Sequence, residues 1–259
     1  MPRFAANLTM MFNDAPFLER FERAAAAGFT AVEFLFPYDH RPDEIAAALR
    51  AHGLEQALFN LPPGDWANGE RGFACRPGDI AEVMKAVETA LPYARATGVK
   101  RLHLMSGLGD RNDPRQREAY RAAVGEVAAR LADEELDLVI EPINGRDMPG
   151  YFLNDFNYAV EIIGELGRSN LKLQFDVYHR QIIHGDIVMA LRAMAPIIGH
   201  VQIASVPARN EPDTGEINYP FVFAELDRLG YAGFVGCEYR PAGVTEAGLG
   251  WFLPFAGKR

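Results

Sequence analysis

Two apolar patterns alternate down this chain. Stretches with helical spacing run into glycine, and each is followed by a short run of branched, aromatic and aliphatic residues with strand character. The first unit sets the form. Arg3 to Leu8 reads as a strand, Asn13 or Asp14 as the cap of a helix whose apolar face carries Phe17, Phe21 and Ala24, and Gly28 as the stop. FTAVEFLF, from Phe29 to Phe36, reads as a second strand ended by Pro37. Predicted helices at 42–52, 79–97, 114–135, 155–167, 185–195 and 220–229 then precede predicted strands at 54–60, 99–106, 136–142, 171–176, 199–204 and 233–238.

About eight βα units is the number that closes a barrel, so the pattern predicts a single (β/α)8 TIM-barrel domain over residues 1–259. The alternative is an open doubly wound sheet. Against it, no glycine-rich phosphate loop of the GxGxxG or GxxxxGK[ST] kind follows any strand. In a parallel barrel the site lies at the carboxyl ends of the strands. There the sequence places Asn7, Asn60, His103, Glu141, Asp176, Gln202 and Glu238. Segments 61–78, 144–154 and 205–219 exceed a minimal βα loop and nominate Trp66, Arg71, Arg209 and Tyr219 as pocket residues.

Composition narrows the partners. Hydrophobic residues make up 49% of the chain and charged residues 24%, enough apolar material for a large core. A net charge of -9 argues against a broad nucleic-acid footprint, which needs a positive surface. The amino-terminal segment lacks the apolar core of a signal peptide and no apolar run is long enough to span a bilayer, so a cytoplasmic protein without a membrane partner is expected. Cys75 and Cys237 stand in unrelated contexts and suggest neither a disulfide framework nor a metal site. WFLPF, at 251–255, reads as a core plug or a subunit contact, and a homo-oligomer is open.

Chemistry centres on LDLVIEPI, 136–143, an apolar strand ending in a carboxylate. Such a charge is costly unless it is paired or metal-bound. Glu141, Asp176, Gln202 and Glu238 all end late strands, and together they make an oxygen-rich cage suited to Mg²⁺, with Mn²⁺ the second choice and zinc less favoured. Any one of them alone reads more readily as a helix cap or a surface ion pair than as a ligand. Jointly they suggest a cation that polarises a carbonyl and its neighbouring hydroxyl, with Glu141 and Glu238 exchanging protons with substrate carbon. His179 is a candidate to contact a substrate oxygen and Arg209 to anchor a carboxylate, each with a loop or surface role as the alternative. His103 and His184 read as packing or surface residues, and Arg240 as a neighbour of Glu238.

NLPPGDWANGERG at 60–72, EPINGRDMPG at 141–150, QFDVYH at 174–179, HVQIA at 200–204, GEINY at 215–219 and GCEYRP at 236–241 resemble the hydroxypyruvate isomerase family of the xylose-isomerase-like barrels. The likeness runs over nearly the whole chain. It implies interconversion of hydroxypyruvate and 2-hydroxy-3-oxopropanoate through an enediolate, with Glu141 and Glu238 as proton donor and acceptor. It also implies a divalent-cation site at Glu141, Asp176, Gln202 and Glu238, and a substrate contact at His179. Related ketose epimerases carry histidine where this chain has Gln202. The alternatives are a 2-oxotetronate isomerase or related epimerase, a metal-dependent phosphodiesterase or abasic-site endonuclease, and a non-catalytic sugar-acid binding protein.

Overall fold

In the computed structural model, which describes residues 1–257, strand β1 (Arg3–Asn7) pairs in parallel with β2 (Ala31–Glu33) on one side and with β8 (Phe234–Cys237) on the other. Strands β3 (Glu55–Asn60), β4 (Arg101–His103), β5 (Asp137–Ile140), β6 (Leu171–Asp176) and β7 (Ile198–Gln202) complete a closed barrel in sequence order. The predicted (β/α)8 barrel is the observed fold, and the open sheet is excluded by closure of β1 on β8.

Each of the first seven strands feeds a helical segment packed outside the barrel: α1 (Glu19–Ala26), α2 (Pro42–His52), α3 (Ile80–Thr97), α4 (Pro114–Ala132), α5 (Phe156–Leu166), α6 (Val177–Ile183) with α7 (Ile187–Met194), and α8 (Tyr219–Arg228). Two 3₁₀ segments, Thr245–Trp251 and Leu253–Phe255, take the place of a helix after β8. The main core lies between strands and helices. Ala5, Ala31, Ala57 and Phe234 form a separate apolar layer, lining the barrel's inside below the polar ends. No helix among the described residues is long and apolar enough to cross a membrane.

Three local expectations are corrected. Neither Asn13 nor Asp14 caps α1: the helix starts at Glu19 after Leu18, without a side-chain cap. Pro16 disfavours helical geometry at Ala15, and Asp14 instead meets Arg23 at 2.9 Å. The long strand expected from Phe29 to Phe36 contributes only three residues, and even within these its register against β3 slips between Val32 and Glu33. Helix α6, directly after β6, was not foreseen; Asp176 caps it by accepting from the Tyr178 N–H at 2.7 Å.

Candidate active site

Glu141 follows β5 and Glu238 follows β8, three strands apart, so they face each other across the barrel mouth. Asp176 ends β6 and His179 lies one turn into α6. All four are buried, and each presents a ligand atom within 4.8 Å of the others', a spacing consistent with a divalent cation. Above them opens a cavity of about 230 Å³ lined by Glu141, Glu238, His179, Arg209, Trp66 and Arg71, among others.

The carboxylates are electrostatically crowded. Burial raises Glu141 well above the usual carboxylate range, and Glu238 and Asp176 repel it further. Burial likewise pushes Glu238 up to about 8, against the pull of Arg209. Asp176 rises to about 6 for the same reason, opposed by Arg209 and by backbone N–H groups. Glu141 Oε1 and Asp176 Oδ2 are buried without a hydrogen-bond partner among the described residues. Unpaired carboxyl oxygens at such a depth fit a cation site better than a structural ion-pair network.

His179 has a defined orientation. Asn144 Oδ1 accepts the backbone N–H groups of Arg146 and Asp147, both at 2.9 Å, which turns its amide nitrogen toward the ring. His179 Nδ1 then accepts from that amide at 2.6 Å and from the Asn144 backbone at 3.3 Å. Burial, with the charge of Arg209, holds the ring neutral by lowering its pKa far below the usual histidine value. Neutral and accepting at Nδ1, it carries its proton on Nε2, which points at Asp176 Oδ2 (3.6 Å) and Glu141 Oε1 (3.9 Å). In this state His179 is a hydrogen-bond donor into the site.

Arg209 lies beside the glutamates, in the loop after β7, in a left-handed backbone conformation (φ 59°). Its guanidinium donates to Glu238 at 2.6 Å and to Asp147 at 3.1 Å and stacks on the Tyr178 ring. Burial works against its charge, but Glu238, Asp176 and Asp147 raise its pKa above the ordinary arginine value.

Gln202 lies in register with Asp176 on the neighbouring strand. Its amide nitrogen donates to Glu33 at 2.8 Å, and its oxygen accepts from Gln174 at 2.6 Å. Glu33 also accepts from Asn7 at 2.9 Å and meets His200 Nε2 at 2.6 Å, so a buried polar network underlies the site. Because Glu33 takes the amide N–H, the Gln202 oxygen faces away from it, on the Gln174 side.

The structure thus brings together Glu141, Asp176, His179, Arg209 and Glu238, with Gln202 in the layer beneath. Trp66 and Arg71 line the cavity as expected. Tyr219 does not: it is buried, and its hydroxyl bridges the Ala204 N–H and carbonyl at the end of β7. His103, expected to pack or face solvent, is buried and lines the site, with Nε2 4.0 Å from Glu141; burial depresses its pKa to about 3. His184 lies at the periphery near Asp155. Sequence reasoning missed Asn144, Gln174, Asp147, Glu33 and His200. Asn144 had a signal, standing three residues past Glu141 in a long loop, whereas Glu33 had none, lying inside an apolar run.

The chain is similar to known proteins over nearly its whole length. The family described as xylose isomerase-like TIM barrel matches residues 21–255. A Cupriavidus necator protein named 2-oxo-tetronate isomerase is 53% identical over 100% of both chains. The hydroxypyruvate isomerase of Escherichia coli K12 is 44% identical, covering 98% of this chain and 100% of its own. A Brucella melitensis protein whose crystal structure is described as AP endonuclease, family 2, is 49% identical with a TM-score of 0.96, covering 99% of this chain and 100% of its own.

Proposed function

The chain belongs to the xylose isomerase-like TIM barrels, in the family of the hydroxypyruvate and 2-oxo-tetronate isomerases, and we propose that it moves the carbonyl of 2-oxotetronate between carbons 2 and 3. The observation that carries an isomerase reading is the pair of buried glutamates facing one small cavity from strands three places apart. The four-carbon acid, rather than hydroxypyruvate, is favoured by the relative at 53% identity. Hydroxypyruvate is the second substrate, since the reacting carbons are the same and it lacks only the terminal hydroxymethyl group. The endonuclease description of one relative is not adopted: a net charge of -9 and a small carboxylate-lined cavity do not suit a DNA backbone.

In this reading one of Glu141 and Glu238 takes the proton from carbon 3, and the other returns a proton to carbon 2. An enediolate lies between the two steps. The upward shifts suit this exchange: burial raises both carboxyls, and Glu238, at about 8, both accepts and gives up a proton readily near neutral pH. His179 donates its Nε2 hydrogen to a substrate oxygen as that oxygen gains charge, and Asn144 maintains the tautomer. Arg209 holds Glu238 in place and offsets its charge. Glu141, Asp176 and Glu238 would hold the divalent cation, Mg²⁺ or Mn²⁺, with the Gln202 oxygen as the fourth donor only if it gives up the hydrogen bond it accepts from Gln174. When bound, such an ion acidifies the carbon-bound proton and stabilises negative charge on the neighbouring oxygens.

The test is proton exchange at the substrate carbons in D₂O, followed by NMR with 2-oxotetronate and with hydroxypyruvate, in metal-stripped protein before and after addition of Mg²⁺ or Mn²⁺. We expect kcat/KM to be higher for the four-carbon acid, with deuterium entering at carbons 2 and 3. Glu141→Gln and Glu238→Gln should each lower kcat by about 10²- to 10⁴-fold, the usual contribution of a positioned acid or base. No exchange with either acid would end the isomerase reading, and a preference for hydroxypyruvate would reverse the order of substrates.

A further inference from the structure

We propose that Arg71 receives the substrate's carboxylate, presented with Trp66 as a rigid platform on the loop between β3 and α3. This rests on the reading of the cavity as a 2-oxo acid site, because only an anionic substrate needs the cation.

Three guanidinium groups line the cavity: Arg71, Arg209 and Arg240. Arg209 is already committed, with one terminal nitrogen on Glu238 and the other on Asp147. Its Nε has no partner among the described residues but is buried, so a substrate carboxylate could take a two-pronged hold only by displacing one of these anions, and an unpaired buried Glu238 would cost more than the new contact returns. Arg240 is exposed at the rim, and its side chain has no hydrogen-bond partner among the described residues, so fixing it would cost rotamer freedom.

Arg71 differs from both. One terminal nitrogen donates to the carbonyls of Trp66 at 3.0 Å and Glu70 at 2.7 Å, and the guanidinium carbon sits 3.8 Å over the Trp66 ring. Its Nε and its other terminal nitrogen have no acceptor among the described residues. Those two nitrogens form one edge of the guanidinium fork, the edge that matches a carboxylate with two parallel hydrogen bonds. The adjacent carboxylate does not quench this charge, because Glu70 is held by Arg76 at 2.7 Å and by the Asp65 N–H at 2.6 Å.

The platform is also fixed in place. The Arg71 carbonyl accepts from Gly107 at 3.1 Å, and Gly72 donates to Pro63 at 2.8 Å. Gly72 has φ 91° and bridges to Ser106, and a Cβ at this position would lie 2.3 Å from the Met105 carbonyl oxygen. The loop is thereby seated on the segment after β4, whose last residue, His103, borders Glu141. An unpaired guanidinium edge is held ready without reordering on binding, which is the condition for strong charge-assisted recognition.

The experiment varies both partners of the contact. Dihydroxyacetone replaces the carboxylate of hydroxypyruvate by a hydroxymethyl group, and erythrulose does the same for 2-oxotetronate. With wild-type protein we expect kcat/KM to favour each acid over its uncharged counterpart. In Arg71→Met that preference should shrink by about 10- to 100-fold through KM, with turnover of the uncharged compounds little changed and part of the preference restored in Arg71→Lys. Equal loss for charged and uncharged substrates, or erasure of the preference by Arg240→Met in place of Arg71→Met, would overturn the assignment. Calorimetric titration with glycerate, which carries the carboxylate but no carbonyl to isomerise, separates this idea from the isomerase reading. Loss of glycerate binding in Arg71→Met supports the anchor even if neither acid turns over, and unchanged binding refutes it even if both do.

Discussion

Glu141, Asp176 and Glu238 are buried together, and the shift of each is upward. Such groups keep protons in the folded state that the unfolded chain gives up near the ordinary values of 3.8 for aspartate and 4.5 for glutamate. The sign for stability follows from this linkage: nothing is lost below those values, and stability falls as pH rises from them through about 6 for Asp176 and about 8 for Glu238. A cation that binds the ionised carboxylates competes with these protons and gains affinity over the same interval. Thermal melts of chelator-treated protein should therefore show Tm falling between about pH 5 and about pH 8, with added Mg²⁺ or Mn²⁺ recovering more at the upper end than at the lower. A cation effect of equal size at both pH values would refute the competition.

Among the strands, β8 and β2 are joined by a requirement at Gly236. A Cβ there would lie 2.2 to 2.4 Å from the Glu33 carboxyl atoms, so only glycine leaves room for the group that holds Asn7, His200 and Gln202. Gly236→Ala should destabilise the protein by roughly 1–3 kcal/mol and lower kcat/KM further than the loss of folded protein explains, since Gln202 loses its support. Denaturant unfolding and steady-state kinetics check this against Gly243→Ala, where nothing lies within 4 Å and little change is expected. If Gly236→Ala were as mild as Gly243→Ala, Glu33 would not be fixed in place.

The same pairing explains what the sequence discloses. Helix stops at Gly53 and Gly98 are legible because each is a left-handed cap, with φ 62° and 72°, and a strand follows each. Glu141, Asp176 and Glu238 are legible only jointly: any one alone could be a helix cap or an ion pair, and Asp176 does cap α6, but all three end late strands of one barrel. Glu33 is hidden because both faces of a barrel strand are buried: Val32 and Phe34 join the outer core, Ala31 joins the inner layer, and no polar alternation marks the inward carboxylate. Helix α6 is hidden because seven residues give too few turns for a period to emerge. The orientation of His179 depends on Asn144 from another loop, a contact that no local pattern carries.

At the scale of the whole molecule, residues 251–257 pack where the barrel closes, against β1 and the turn before β2. Among the described residues no α-helix follows β8, and WFLPF fills that place in the outer ring, resolving the choice between core plug and subunit contact for Phe252 in favour of the core. Phe252 is buried, stacks on Phe29 at 4.1 Å and meets Phe4 of β1 edge-on at 6.0 Å, while Phe255 approaches Phe4 at 4.9 Å. Gly257 donates to the carbonyl of Gly28 at 2.8 Å, tying the segment to the turn between α1 and β2. These aromatics pack against the outside of β1, away from the cavity, so their loss should act on stability rather than on chemistry. Phe252→Ala should cost about 3–5 kcal/mol, the range for emptying an aromatic site in a core that only partly collapses, with kcat/KM close to wild type well below the melting temperature. Chemical denaturation and a turnover assay on the same preparation decide it. A loss under about 1 kcal/mol would mean that the segment is peripheral to closure, and an equally stable variant with reduced turnover would tie the carboxyl end to the site instead.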